Sequence, residues 1–360
     1  MRACRRWSWL PVLLLPIVPL VACAAPAAAP AAPGAAGGGQ GASPAAAPAA
    51  GQAAPPAPVH LKAAWFTVGG QSAPLWVAQD AGLFQKHGLD VELVFIEGAT
   101  LAVQSAVSGE VPIITTGSPA IVNARLEGAD LFDVAHYVPT LPYVLIANPR
   151  IRSGADLKGG RGATARRGGA SDVAFHLALR KLGVNPDTDL TVIEIGAQQS
   201  RFAALQAGSV DATVVDDAFG EEAERLGFPI LADVRDVQFP FVSVGVGGRY
   251  LREQPETVRA FMRAFVEAIH FFKTHRAESE RILARWMKTD NQALVQDTWE
   301  AYATRYLASK PYPTVEGARA MLEFAAERNP RAATADPRDF IYQQILEDLE
   351  REGFFERLGR

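Results

Sequence analysis

From Val59 onward the chain alternates short apolar runs of strand length with longer stretches of helical period, joined by short loops. "HLKAAWFTV" reads as a strand. A helix follows from Pro74, whose missing N–H costs nothing in a first turn, with Ser72 ahead of it as a cap. Gly82 and Gly88 are stops, and Leu89, Val91, Leu93 and Phe95 then alternate with Asp90 and Glu92 as a second strand. Helix "TLAVQSAVSGE", strand "VPIITTG", helix "SPAIVNARLEG" and strands "LFDVAHYV" and "PYVLIANP" continue the rhythm. After "IRSGADLKGG" it starts again with strand "RGATA", helix "SDVAFHLALRKLG", strand "LTVIEIG", helix "SRFAALQAG", strand "DATVVDD" and helix "AFGEEAERLG". Such alternation predicts parallel sheets covered by helices on both faces. Beyond the strand "FPFVSVGVGG" almost everything reads as helix. The fold class expected is α/β, with two lobes and a helical C-terminal tail.

What precedes Val59 cannot join that core. From Ala24 to Pro58 the chain uses only Ala, Pro, Gly, Gln and Ser, with no charge, aromatic or periodicity. A flexible tether of that length has an end-to-end distance of roughly 30 Å, more where proline stiffens it. Ahead of it stand a basic "MRACRRWSW", an apolar "LPVLLLPIVPL" too short and proline-broken to span a bilayer, and "LVAC" ending at Cys23. This segment resembles a bacterial lipoprotein signal, which is cut before the cysteine so that the thiol is lipidated. The expectation is a signal over residues 1–22, then a lipidated Cys23 and tether over 23–58. An ordinary secretory signal cut later, after "APAAAP", is the alternative. Either one exports the protein, and the lipid anchor places it on the outer face of the cytoplasmic membrane.

Composition removes several function classes. The first 22 residues hold Arg2, Arg5 and Arg6 and no acid, so the remainder carries 32 basic against 39 acidic residues. That balance argues against a nucleic-acid partner. The two cysteines, Cys4 and Cys23, both lie in the leader region, which excludes disulfides, Cys-based metal sites and Cys nucleophiles from the body. His60, His87, His136, His176, His270 and His275 are scattered without ligand spacing, so no metal site and no cofactor is expected.

Four turns from the carboxyl end of a strand into a helix carry serine: Ser72 before Pro74, Ser118 in "GSPA", Ser171 after "RRGGA", and Ser200 after "GAQQ". Ligands of open α/β sheets bind at that edge, where free helix N–H groups favour an anionic or accepting group. Two entries belong to each lobe, so they can face each other across a cleft. A serine also caps any helix for about 1 kcal/mol with no ligand near, so cap and contact both stay open. Arg166 and Arg167 precede the Ser171 helix and suit capture of a carboxylate, sulfonate or phosphate, or form a solvated loop pair. Asp216 and Asp217 read as cleft carboxylates or as a cap and a surface acid. Trp65, Trp76, Phe202 and Phe219 can stack on a ring or fill core.

At this point the pattern resembles a family, the substrate-binding proteins of ABC importers for nitrate, sulfonates, taurine and thiamine-pyrimidine precursors. The resemblance spans residues 59–360. It rests on "PLWVAQDAGLFQKHGLDVELV", "AVQSAVSGEVPIITTGSPAIVNARLEGADL", "DLKGGRGATA" and "RFAALQAGSVDATVV". It implies a type II periplasmic binding protein fold: a first lobe over 59–148, a second over 149–238, and 239–360 returning to the first lobe with C-terminal helices. It also implies a monomer that captures a small solute by hinge closure and delivers it to a permease and its ATPase. Carried over by position, the cleft would use Trp65, Thr67, Gln71, Ser72 and Ser118 from the first lobe. From the second it would use Arg167, Gly169, Ser171, Gln198, Ser200, Asp216 and Asp217. Relatives often carry Trp–acid–Pro where this chain has Asp216–Asp217–Ala218. The extra carboxylate speaks against a simple alkylsulfonate and for a ligand with an amine, amidine or ring N–H donor. Enzymes such as thiamine-pyrimidine synthases resemble the same family, so an enzyme is the alternative. Against it stand the export signal and the lack of a nucleophile–base pair.

Overall fold

The computed structural model describes residues 57–359, so the expected signal, Cys23 and most of the tether lie outside the described residues. The body opens with β1 (Val59–Trp65), α1 (Ala73–Asp80), α2 (Leu83–Lys86) and β2 (Leu89–Phe95). It continues with α3 (Ala99–Ser108), β3 (Ile113–Gly117), α4 (Ser118–Leu126) and β4 (Leu131–Thr140). A second set follows: β5 (Val144–Ala147), β6 (Arg161–Thr164), α5 (Ala170–Lys181), β7 (Thr191–Glu194), α6 (Gln198–Gln206), β8 (Ala212–Val215), α7 (Asp217–Arg225) and β9 (Ile230–Asp233). The chain then returns through β10 (Gln238–Gly247) to helices α8 (Gly248–Glu253), α9 (Pro255–Thr274), α10 (Arg276–Met287) and α11 (Gln292–Ala301). A π-helical turn (Tyr302–Tyr306) leads to α12 (Val315–Ala326), α13 (Gln344–Arg351) and α14 (Phe354–Leu358).

The strands form two five-stranded sheets, ordered β2–β1–β3–β10–β4 and β7–β6–β8–β5–β9. The expected two α/β lobes with a helical C-terminal region are present. The sheets are mixed, however, not parallel. β10 runs antiparallel to β3 and β4, and β5 runs antiparallel to β8 and β9. The reason is connectivity: β5 and β10 enter their sheets from the other lobe, without the crossover helix that a parallel neighbour requires, and so run against the strands beside them. Both passages are short, at 141–143 and 234–237. β5 already pairs within the second sheet, ahead of the 148/149 division expected from the sequence.

The first lobe is anchored by α9, whose Val258, Phe261, Met262, Phe265, Ile269 and Phe272 recur at helical spacing and are buried. Phe261 stacks on Phe84 of α2 at 5.4 Å, and Phe265 meets Tyr137 of β4 edge-on at 5.0 Å. In the second lobe Phe175 of α5 packs so closely on β6 that a side chain at Gly162 would overlap its ring. The described residues, 57–359, form one compact unit with both lobes inside it.

Candidate functional site

Six helices begin at the carboxyl ends of parallel strands: α1 after β1, α3 after β2, α4 after β3, and α5, α6 and α7 after β6, β7 and β8. The two groups meet across the division between lobes. A methyl placed on Gly168, in the loop ahead of α5, would stand 3.4 Å from Asn123 of α4. Asp217 of α7 accepts from the Tyr306 hydroxyl at 2.5 Å. The ligand edge of each sheet therefore faces the other lobe.

The expected serine caps are not caps. Ser72 stands at the N-cap of α1, but its hydroxyl donates to the Thr67 carbonyl at 2.7 Å and closes the loop from β1. The N-caps of α4, α5 and α6 are Gly117, Gly169 and Ala197, which leaves Ser118, Ser171 and Ser200 inside the first turns. Ser118 is fully buried, its hydroxyl 2.5 Å from that of Ser243 on β10. The Ser171 hydroxyl accepts from the Ala165 N–H at 2.9 Å, fixing the loop that carries Arg166, Arg167 and Gly169. Ser200 is exposed, as are Arg166 and Arg167. A first-turn serine caps only when no neighbouring backbone or strand offers a better partner, and here each buried one has such a partner.

Asp216 is the true cap of this edge. Its carboxylate accepts from the Phe219 N–H at 3.2 Å, and its own N–H donates to the Gln198 side chain at 3.0 Å, tying the starts of α7 and α6 together. Protein surrounds the carboxyl closely, and burial raises its pKa above the ordinary carboxylate value, with Asp217 adding to the rise. The Asp216 charge acts on two phenols, those of Tyr143 in the first passage between lobes and of Tyr302 in the π-helical turn. Burial pushes Tyr143 up to about 12 and Tyr302 well above its usual range, so both are neutral donors. Tyr302 donates to the Gln71 side chain at 2.8 Å, which brings the loop before α1 into the group. Tyr143 lies edge-on to Phe241 at 5.3 Å. Arg201, nearly fully buried, lies close enough to Asp216 and Tyr143 to feel both, and each of its three nitrogens makes one bond inside the second lobe, to Thr213 Oγ1, Gly196 O and Val214 O.

The structure thus brings Gln71, Gln198 and Asp216 together and adds Tyr143, Tyr302 and Arg201, none of which carried a sequence signal. Asp217 is not a surface acid: it is buried and bound by Arg235 at 2.7 Å as well as by Tyr306. Trp65 is a core residue. Its ring packs edge-on to Trp76 at 5.2 Å and to Trp286 at 5.8 Å. Phe202 is likewise buried, edge-on to Phe219 and Phe228. Among the described residues no group of three or more His, Cys, Asp or Glu side chains is placed to hold a metal. No described helix is long and apolar enough to cross a membrane.

Two mixed α/β sheets, joined by two short passages and facing each other at their ligand edges, are the architecture of the periplasmic binding proteins. Two solved structures share it. One is the alkanesulfonate-binding protein SsuA of Xanthomonas axonopodis pv. citri, with TM-score 0.66, 20% identity, and 80% of this chain and all of that one covered. The other is the nitrate-binding protein NrtA of Synechocystis, with TM-score 0.68, 14% identity, and 82% and 89% covered. The family described as NMT1/THI5 like matches residues 70–279, and the chain belongs to that family. The putative binding protein YtlA of Bacillus subtilis is 23% identical over 213 residues, a match spanning 57% of this chain and 64% of the length of YtlA.

Proposed function

We propose that this chain is the extracytoplasmic solute-binding component of an ABC importer, held at the membrane by a lipid on Cys23. It takes a small nitrogen-bearing organic solute between its lobes and hands it to a permease. The observation that carries this reading is the group formed by Asp216, Tyr143, Tyr302, Gln71 and Gln198, drawn from both lobes and from a passage between them. The Asp216 carboxylate is half-buried at the cleft edge and accepts from the Phe219 N–H, and a solute donor placed there would strengthen its hold on the charge. An amine, amidine or ring N–H supplies that donor, while the phenols and amides orient the rest of the solute. Family membership and the fold shared with SsuA and NrtA support the transport role. The solute class is read from Asp216, whose charge acts on Tyr143 and Tyr302 and whose backbone N–H is bound by the Gln198 side chain.

Thermal melting against a panel of aminopyrimidines, amine-bearing aromatics, taurine, alkylsulfonates, nitrate and small carboxylates tests the reading. Ligand at 100 times its Kd adds about 2.7 kcal/mol, a shift of a few degrees for a body of this size. Donor-bearing solutes are expected to give that shift and to be recovered unchanged. A shift with nitrate or alkylsulfonates alone would overturn the solute class, and a chemically altered ligand would overturn the transport role in favour of an enzyme.

A further inference from the structure

Two carboxylates in the first turns of second-lobe helices are held by side chains of the first lobe. Asp217 of α7 is met by the Tyr306 hydroxyl at 2.5 Å and by Arg305 at 3.2 Å. Asp172 of α5 is met by Arg328 at 2.8 Å. Tyr306 and Arg305 belong to the π-helical turn that packs on β4, and Arg328 follows α12, which packs on β10 and α4. Arg180 of α5 adds a two-pronged pair to Glu327 on the same flank, at 2.7 Å for each contact.

These are not solvated surface pairs. The side chains of Asp217 and Asp172 are only 8% and 1% exposed, so the acidic half of each pair is shielded from salt and water. Asp172 also accepts from the Gly168 N–H at 2.9 Å, in the loop that lies against Asn123 of the first lobe. Parting the lobes would leave Asp172 with that one N–H and with His176 at 3.5 Å. Asp217 would keep only Arg235, in the return passage. The carboxylate at the start of α7 is therefore bound by the opposite lobe.

We propose that Asp217 and Asp172, with Tyr306, Arg305 and Arg328, form a two-point clasp that holds the lobes closed in the absence of solute. The clasp depends on the two-lobed geometry and not on which solute is bound. Closure then precedes capture in a large share of molecules, and solute enters by transient opening.

The test is a ligand-free distance measurement. The body has no cysteine, so spin labels can be placed at Thr100→Cys on α3 and Gln206→Cys on α6, both exposed, in the full chain carrying Cys4→Ser and Cys23→Ser. Bound solute is stripped by unfolding in guanidinium chloride and refolding, and pulsed electron resonance reads the distance between labels. The clasped protein is expected to show one dominant short distance. Combining Arg305→Gln, Tyr306→Phe and Arg328→Gln is expected to move the closed-to-open ratio about tenfold toward a longer distance. A single open population before substitution, or an unchanged distribution after it, would overturn the clasp. If the triple variant does not refold, Arg328→Gln alone and Tyr306→Phe alone must each lengthen the distribution. If they do not, the proposal fails.

Discussion

Gly70→Ala probes the packing of the π-helical turn against the first-lobe loop. Gly70 is buried in the loop before α1, and a methyl group there would stand 2.7 Å from Tyr302 Cγ and closer still to Cδ2 and Cε2. The ring cannot simply retreat, because its hydroxyl donates to Gln71 at 2.8 Å and Tyr306 lies edge-on to it at 5.3 Å. Overpacking of this kind costs about 1–3 kcal/mol, and loss of the Tyr302–Gln71 hydrogen bond adds about 1 kcal/mol. For a body of this size that is a fall of several degrees in Tm, measured by thermal melting and checked by denaturant titration. A double-mutant cycle isolates the cause. In a Tyr302→Leu background the methyl has room, so Gly70→Ala should cost at least about 1 kcal/mol less than in the native background. Equal costs in the two backgrounds would refute the placement of the π-helical turn against the first-lobe loop.

Other perturbations have equally definite expected outcomes. Burial raises the Asp216 pKa above 3.8, so the folded state loses stability as pH rises through the raised value. Asp216→Asn keeps a capping oxygen and should raise Tm at neutral pH while giving no gain in acid, as thermal melts across pH will read. His176, buried against Phe324, has its pKa lowered from 6.5 chiefly by burial, so the stability its neutral ring contributes is present above 6.5 and lost as pH falls through the lowered value. His176→Gln should flatten the fall in Tm below 6.5, seen by the same melts. Arg201→Met removes three hydrogen bonds inside the second lobe, two of them to backbone carbonyls, and should cost about 2–4 kcal/mol in denaturant unfolding.

The lobed architecture was legible because strands and helices carry different periods. Leu89, Val91 and Leu93 alternate, while the α9 residues recur every three or four positions. β9 escaped because "ILAD" is four residues long, follows Pro229 and has no alternation to read. Asp216 stood out as an acid directly after the apolar run "ATVV", which is where a cap belongs. The serines were over-read as caps because a first-turn hydroxyl chooses among partners that only the folded sheet supplies, such as Ser243 for Ser118. The packing of Trp65 is hidden from the sequence for a related reason. Which way an aromatic at a strand end turns depends on Trp76 and Trp286, and the latter arrives from far along the chain. Tyr143, Tyr302 and Arg201 lack a local pattern of any kind. Tyr302 meets Gln71 only when the C-terminal segment folds back on the first lobe, and chain closure of that length leaves no trace in short-range periodicity.

The most direct measurement is a calorimetric titration of the solute that shifts melting into the native protein and into Asp216→Asn. One-to-one binding with at least about tenfold weaker affinity in the variant is the expected result, a difference of about 1.4 kcal/mol or more. Equal affinity in the two proteins would contradict a solute held at Asp216 between the lobes, and continuous heat from turnover would contradict a binding protein.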